Sequence, residues 1–425
     1  METATIFLKI LSRGSNMNHN WDYKGLHKEG IHTLGKYPAM MVPRMQLDLL
    51  KRFGDDDSEN KTLLDPFMGS GTAIVEARKM KMKTIGIDIN PYAVLLTKVK
   101  THDYSNISTD SIINKFIKNI ENTKFDEPKW SFYNINKWFR GDIILSLTHI
   151  RNAILSEKDV WIRRFLWICM SEIIYEYSND RTSTFKLHVK TQDQIKNIKN
   201  NVIEDFKKRV VKKSKVLCKE KYPSSMICFG DTYNVCESLK NKSVDIICTS
   251  PPYGDNATTV TYGQASILFL KWINIDDIDN DIDPEILNQY SRIDRLSLGG
   301  RKKKEEKYRS KLFDCYLESI DKKKREKVIR FINDYWNVIK QLSRIIKNDG
   351  TIIFTVGNRK VDGKEQPLDE LTVEMFKKQN IELIYSSYRQ ILNKKMPKKV
   401  SHINNIGSVD SMNKEKVLIF KNRSK

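Results

Sequence analysis

The sequence predicts an α/β chain, a doubly wound sheet with a mainly helical region inserted into it. Three observations predict this. Residues 61–100 read as strand, glycine-bearing turn, helix, second strand and second helix, which is one half of such a sheet. From about residue 103 to 222, prominent strand signals are missing and long, aromatic-rich, basic helical stretches take over. The strand pattern returns at 226–230 (MICFG), 244–248 and 350–356 (GTIIFTV).

Residues 42–53 (VPRMQLDLLKRF) carry apolar residues at helical spacing and predict the first helix. An apolar strand then ends at Asp65. Gly69, Ser70 and Gly71 make a tight turn into a helix from Ala73 to Lys79. The second strand ends in IGID, at Asp88, and the next helix opens near Pro91. The helical insertion is expected to occupy 104–225, between a first part of the sheet domain at 1–103 and the remainder at 226–425. Within that remainder a second, basic insertion at about 257–327 holds an acidic loop and the charge runs RKKKEEKYR and DKKKREK. IELIYSS and KVLIFKN supply closing antiparallel strands.

At 425 residues the chain is long enough for one large domain with insertions, or for two domains of ordinary size. No uninterrupted apolar run approaches the roughly 20 residues of a membrane span, and the N-terminal stretch lacks the charged lead of a signal peptide. A cytoplasmic protein with no membrane partner is expected. The six cysteines stand at no metal-ligand spacing, and the seven histidines form no His-x-x-x-His pair. Neither a metal site nor a disulfide framework is expected. The net charge of +21 favours a polyanionic partner, most simply nucleic acid. A Lys-rich proteome would give the same charge, so the chemistry must decide.

Two stretches carry chemistry. In LLDPFMGSGT, glycines let the backbone approach a ligand, and a helix N-terminus offers unpaired N–H groups. The lysine of a phosphate loop is missing, which disfavours nucleoside triphosphates. Asp88, roughly twenty residues beyond the turn, is the residue type that accepts hydrogen bonds from ribose hydroxyls. The second stretch is CTSPPYGD, residues 248–255. Proline cannot continue a sheet ladder, so the strand before it must stop. Ser250 then offers a hydroxyl acceptor, Pro251 a carbonyl and Tyr253 a flat ring, while Pro252 keeps the backbone free of a competing N–H. Together they suit a planar heterocycle with an exocyclic amino group. Holding both amino hydrogens frees the nitrogen lone pair for a methyl donor, without covalent catalysis. Cys248 reads as core packing.

With these residues in view, the chain resembles the amino-methyltransferases that act on DNA and use S-adenosylmethionine. The likeness rests on DPFMGSGT (65–72), GIDINPYA (86–93), GDT (230–232) and TSPPYGD (249–255), with HTLGKYPAMMVP (32–43) upstream and NDGTIIFTVGN (348–358) downstream. It implies a seven-stranded Rossmann-like methyltransferase sheet of about 250 residues. It also implies a cofactor site of Tyr37, Pro38, Asp65, Pro66, Phe67, Gly69, Ser70, Gly71, Thr72, Asp88, Ile89, Asp231 and Thr232. Asp88 would bind the ribose hydroxyls and Asp231 the adenine amino group, while Ser250 to Tyr253 would hold a base flipped out of double-stranded DNA.

The motif order resembles the alpha arrangement, whose tetrapeptide usually starts with Asp or Asn. Serine there is more common among enzymes that methylate cytosine N4, so cytosine N4 is favoured and adenine N6 is the alternative. Target recognition would fall to 104–225, with Trp138, Trp161 and Trp167, and to the basic run Arg301, Lys302 and Lys303. An RNA amino-methyltransferase and a non-catalytic DNA-binding subunit are the other readings. About forty residues ahead of the sheet leave little room for an RNA-binding module, and intact Asp65, Gly69, Asp88 and Ser250 speak against decay. A cognate restriction endonuclease would be a separate chain.

Overall fold

A computed structural model describes residues 21–54, 58–122, 129–183, 186–255, 259–300, 306–391, 399–403, 407–410 and 413–423. One sheet contains β1 (Thr62–Asp65), β2 (Lys83–Asp88), β3 (Ser225–Phe229), β4 (Val244–Thr249), β5 (Ile346–Val356), β6 (Ile381–Gln390) and β7 (Lys414–Asn422). Their spatial order is β3-β2-β1-β4-β5-β7-β6. Neighbours from β3 to β5 run parallel, and β7 is antiparallel to both β5 and β6. This is the doubly wound sheet that the sequence predicts, with the seven strands that the resemblance implies.

The order reverses between β1 and β4, which pair directly, Leu63 opposite Ile246 and Leu64 opposite Ile247. A sheet of this kind binds ligands in the crevice outside the carboxyl ends of its strands at such a switch point. The glycine turn follows β1 and the Pro-Pro stretch follows β4. The topology alone therefore brings two motifs, far apart in sequence, to one crevice.

Both faces of the sheet are covered, as parallel strands require. Alternate side chains feed two cores. Leu63, Ile246, Cys248, Ile353, Val417 and Ile419 point into one, and Leu64, Ile247, Ile352, Phe354, Leu418 and Phe420 into the other. The first core is closed by α1 (Pro43–Phe53), α2 (Thr72–Lys79) and α3 (Pro91–Thr101), and then by helices lying between β2 and β3. Those are α4 (Thr109–Asn122), α5 (Gly141–Ser156), α6 (Val160–Tyr177) and α7 (Val202–Ser214). The second core is closed by α8 (Thr232–Ser238), α10 (Lys322–Ile345) and α11 (Leu368–Lys378), while α9 (Tyr262–Leu270) packs on the first.

Several boundaries differ from the sequence expectation for identifiable reasons. Proline at the first helical position moves the start of α1 to Pro43, with Val42 as its cap. β5 begins at Ile346, which pairs with Val244, four residues before the apolar run that announces it. Lys322–Lys327, read as part of a charged insertion, form the first turns of α10. Trp138 and Trp167, which lie in the region expected to carry target recognition, are buried. Trp167 Nε1 donates to Asp277 Oδ2 at 2.7 Å and Trp138 Nε1 to the Tyr290 hydroxyl at 3.1 Å, so these rings join the two inserted regions to each other. Trp161 is half-buried and stacks on His102, with ring centroids 3.7 Å apart. Among the described residues, no helix is long and apolar enough to cross a membrane.

Candidate active site

The glycine turn is built by left-handed backbone at two positions, Gly69 at φ +47° and Gly71 at φ +72°. At Gly71 a Cβ would lie 2.6 Å from Thr97 Oγ1, and at Gly69 3.1 Å from Tyr37 Cε1. Only glycine meets both demands without strain. The Met68 amide donates to the Ile87 carbonyl at 3.1 Å, which ties the turn to β2. From α3, the buried Lys100 Nζ donates to the Ser70 carbonyl at 2.9 Å. Burial lowers the pKa of that ammonium to about 7.

The two carboxylates at the strand ends do different work. Asp88 Oδ2 accepts from the Gly69 amide at 2.9 Å, and Oδ1 from the Asn90 amide at 2.8 Å. Burial raises its pKa to about 6 against those bonds. Asp65 is only 1 % exposed and stands behind the cavity wall. Its Oδ1 accepts from Thr249 Oγ1 at 2.6 Å and from the Phe67 amide at 3.1 Å, so it clasps the end of β1 to the end of β4. Burial, with a smaller contribution from Asp88, raises its pKa to about 7. Pro66 is tied to α8 by its carbonyl, which accepts from Thr232 Oγ1 at 2.7 Å. Asp231 caps α8, its Oδ1 accepting from the Asn234 amide at 3.2 Å.

After Thr249 the prolines end β4, and the Ser250 and Tyr253 hydroxyls lie 2.9 Å apart. The Tyr253 hydroxyl donates in turn to Glu415 Oε1 at 2.9 Å, a partner on β7 that no sequence pattern announces. Cys248 is fully buried with its thiol 3.1 Å from Gln46 Oε1, and burial holds that thiol well above its usual pKa. It is a packed thiol, as expected, and not a nucleophile.

One cavity of about 1460 Å³ joins these features. The cradle side of its wall includes Phe67, Gly69, Ser70, Thr72, Asp88 and Ile89. Tyr37, Pro38, Asp231 and Thr232 continue that wall, and Ser250, Pro251, Pro252 and Tyr253 line it too. Asp65, Pro66 and Gly71 support it from behind. A single small-molecule site usually takes about 300–1,000 Å³, so this cavity has room for two adjoining ligands. Tyr37 stacks between Tyr92 and Tyr262, at 6.3 and 5.6 Å between centroids, which brings the upstream segment, α3 and α9 together at the cradle. Thr182, Ser183 and Leu187 from the first inserted region also reach the wall, as does Leu298 from the second. Arg301, Lys302 and Lys303 lie outside the described residues.

The family model for DNA methylases matches residues 9–99. Across 96% of its length the chain is 31% identical to the type II methyltransferase M.MvaI of Kocuria varians, spanning 95% of that protein. It is 23% identical to the type II methyltransferase M.BsoBI of Geobacillus stearothermophilus over 65% of this chain and 57% of that protein. A shorter match of 79 residues, 39% identical, links it to the type II methyltransferase M.MjaII of Methanocaldococcus jannaschii, over 18% of this chain and 14% of that protein.

Proposed function

The chain belongs to the type II DNA methyltransferases, N4/N6 amino-methylating enzymes that use S-adenosylmethionine, and from that premise we propose that it methylates cytosine N4 in duplex DNA. The observation that carries the reading is the shared cavity, lined by Asp88 and Gly69 of the cradle and by Ser250 to Tyr253. Serine at the head of the tetrapeptide supports cytosine over adenine, since that form is more common among N4 enzymes.

The residues present fit the cofactor. Left-handed glycines leave space beside the turn, and Asp88 keeps acceptor capacity beyond its two backbone bonds. In this reading Asp88 accepts from the ribose hydroxyls, Asp231 from the adenine amino group, and Tyr37, Pro38 and Phe67 border the methionine end. Ser70, Thr72, Ile89 and Thr232 complete the wall, with Asp65, Pro66 and Gly71 bracing it. When bound, the cofactor supplies an electrophilic methyl group on sulfur.

The target base must leave the duplex stack to reach Ser250. There the Ser250 hydroxyl oxygen and the Pro251 carbonyl accept the two amino hydrogens, and the Tyr253 ring covers the base. This orientation turns the nitrogen lone pair outward, and the effect is positional and electrostatic. The inserted helical region and the basic second insertion are the candidates for target recognition, supported by Thr182, Ser183 and Leu298 at the cavity wall. We place the cognate endonuclease on a separate chain, and cleavage of DNA by this protein alone with magnesium would contradict that. The functional test is transfer of labelled methyl from S-adenosylmethionine to unmethylated duplex DNA, with RNA in parallel. Label in DNA alone supports the reading, and label in RNA alone replaces it with an RNA methyltransferase.

A further inference from the structure

Glu415 stands on β7 directly opposite Arg389 of β6 in the antiparallel register. Its two carboxylate oxygens are divided between two partners. Oε1 accepts from the Tyr253 hydroxyl at 2.9 Å, and Oε2 lies 3.3 Å from Arg389 Nη1. The pair is well shielded, with side-chain exposures of 9 % for Arg389 and 15 % for Glu415. All three of Tyr253, Arg389 and Glu415 line the same cavity as Ser250.

The direction of each hydrogen bond follows from counting protons. An ionised carboxylate has none to give, so the phenol must be the donor to Glu415. A hydroxyl has one hydrogen, and that of Tyr253 is thereby committed. In the 2.9 Å contact between Tyr253 and Ser250, tyrosine can then only accept and serine only donate. Ser250 is left with lone pairs and no hydrogen for anything that enters the cavity. Toward an amino group that is the required polarity. Without Glu415 the two hydroxyls could reverse roles, and Ser250 would present its hydrogen to the amino group it has to hold.

We infer that Glu415, held by Arg389, is a positioning residue for methyl transfer, acting through Tyr253 to fix Ser250 as an acceptor for the target amino group. This rests on the proposed role of Ser250 and deepens it. It gives the C-terminal strand a part in base selection: the chain polarises Ser250 for a donor-bearing base edge and against an acceptor.

The test is a double-mutant cycle on the full-length protein with Glu415→Gln and Tyr253→Phe, measuring kcat and KM on duplex DNA, and cofactor affinity by calorimetry. Glutamine is nearly isosteric and can donate to the phenol, so it removes the fixed direction while keeping the shape. The expected result is a kcat lower by roughly ten- to a hundredfold in either single variant. The Kd for S-adenosylmethionine and the KM for DNA should stay within about twofold, and the double variant should be no slower than Tyr253→Phe alone. Wild-type kcat in Glu415→Gln, or single effects that multiply in the double variant, would overturn the inference. If Glu415→Gln fails to fold because Arg389 loses its partner, Tyr253→Phe decides alone, and an undiminished kcat there is fatal. A wild-type protein that methylates no DNA would instead refute the underlying reading.

Discussion

The Gly69 amide donates to Asp88 Oδ2 across 2.9 Å, fastening the turn after β1 to the end of β2 through the carboxylate that faces the cavity. The groups that shape the cradle therefore hold one another. On the opposite side, Asp65 and Thr249 clasp β1 to β4 at 2.6 Å. The two halves of the site are braced by separate carboxylates, which allows them to be separated by mutation.

Replacing Asp88 with alanine should weaken S-adenosylmethionine binding by about 1.5–3 kcal/mol, the range for hydrogen bonds to a charged group, and turnover only as a consequence. Ser250→Ala should do the reverse, losing most turnover while cofactor affinity is kept. Calorimetry and single-turnover assays on both variants check this. Exchanged effects would mean that the two pockets have been assigned the wrong way round.

The carboxylates also predict a pH dependence. Burial raises Asp65 to about 7 and Asp88 to about 6, both from an ordinary 3.8. A raised folded-state pKa contributes stability that is complete below the unfolded value and lost as pH rises through the folded one. The cofactor-free protein should therefore lose stability between about pH 4 and pH 7, and Asp65→Asn should flatten that slope. Cofactor binding should run the opposite way, weakening below about pH 6 as Asp88 takes up a proton. Melting curves and calorimetry across this window check both signs.

Gly71→Ala should destabilise the fold by about 2–5 kcal/mol. Left-handed backbone costs an L-residue about 1–2 kcal/mol, and crowding a packed site adds about 1–3. The new Cβ would meet Thr97 Oγ1 at 2.6 Å. Urea denaturation reads the loss directly.

Asp277 joins the inserted regions, with Arg163 Nη2 at 2.6 Å from Oδ1 and Trp167 Nε1 at 2.7 Å from Oδ2. Asp277→Ala leaves a guanidinium and an indole N–H without their carboxylate, and should cost about 3 kcal/mol. A melting temperature equal to that of the wild type would show that the Asp277 carboxylate contributes nothing to holding the regions together.

The parts of the site legible in the sequence are those whose signal is local. Gly69, Gly71 and Asp88 fall on one strand-turn-helix-strand unit, and the prolines after Ser250 announce their own strand end. The start of α10 is hidden because its first turns are lysine and arginine, while the apolar stripe Val328, Phe331, Ile332, Tyr335, Ile339 and Leu342 begins later. The burial of Trp138 and Trp167 is not legible from their basic neighbours, because Asp277 and Tyr290, which bind the rings, lie far along the chain. Glu415 and Arg389 leave no trace in any window. Only the antiparallel closure of β7 against β5 and β6 brings Glu415 to Tyr253, across 162 positions.

The methylated product reports the chemistry at Ser250 without an intermediary. The purified protein would be incubated with S-adenosylmethionine and unmethylated plasmid, the DNA digested to nucleosides, and the modified nucleoside identified by mass spectrometry. N4-methylcytosine is the expected product. N6-methyladenine would contradict the reading of Ser250 as a cytosine site.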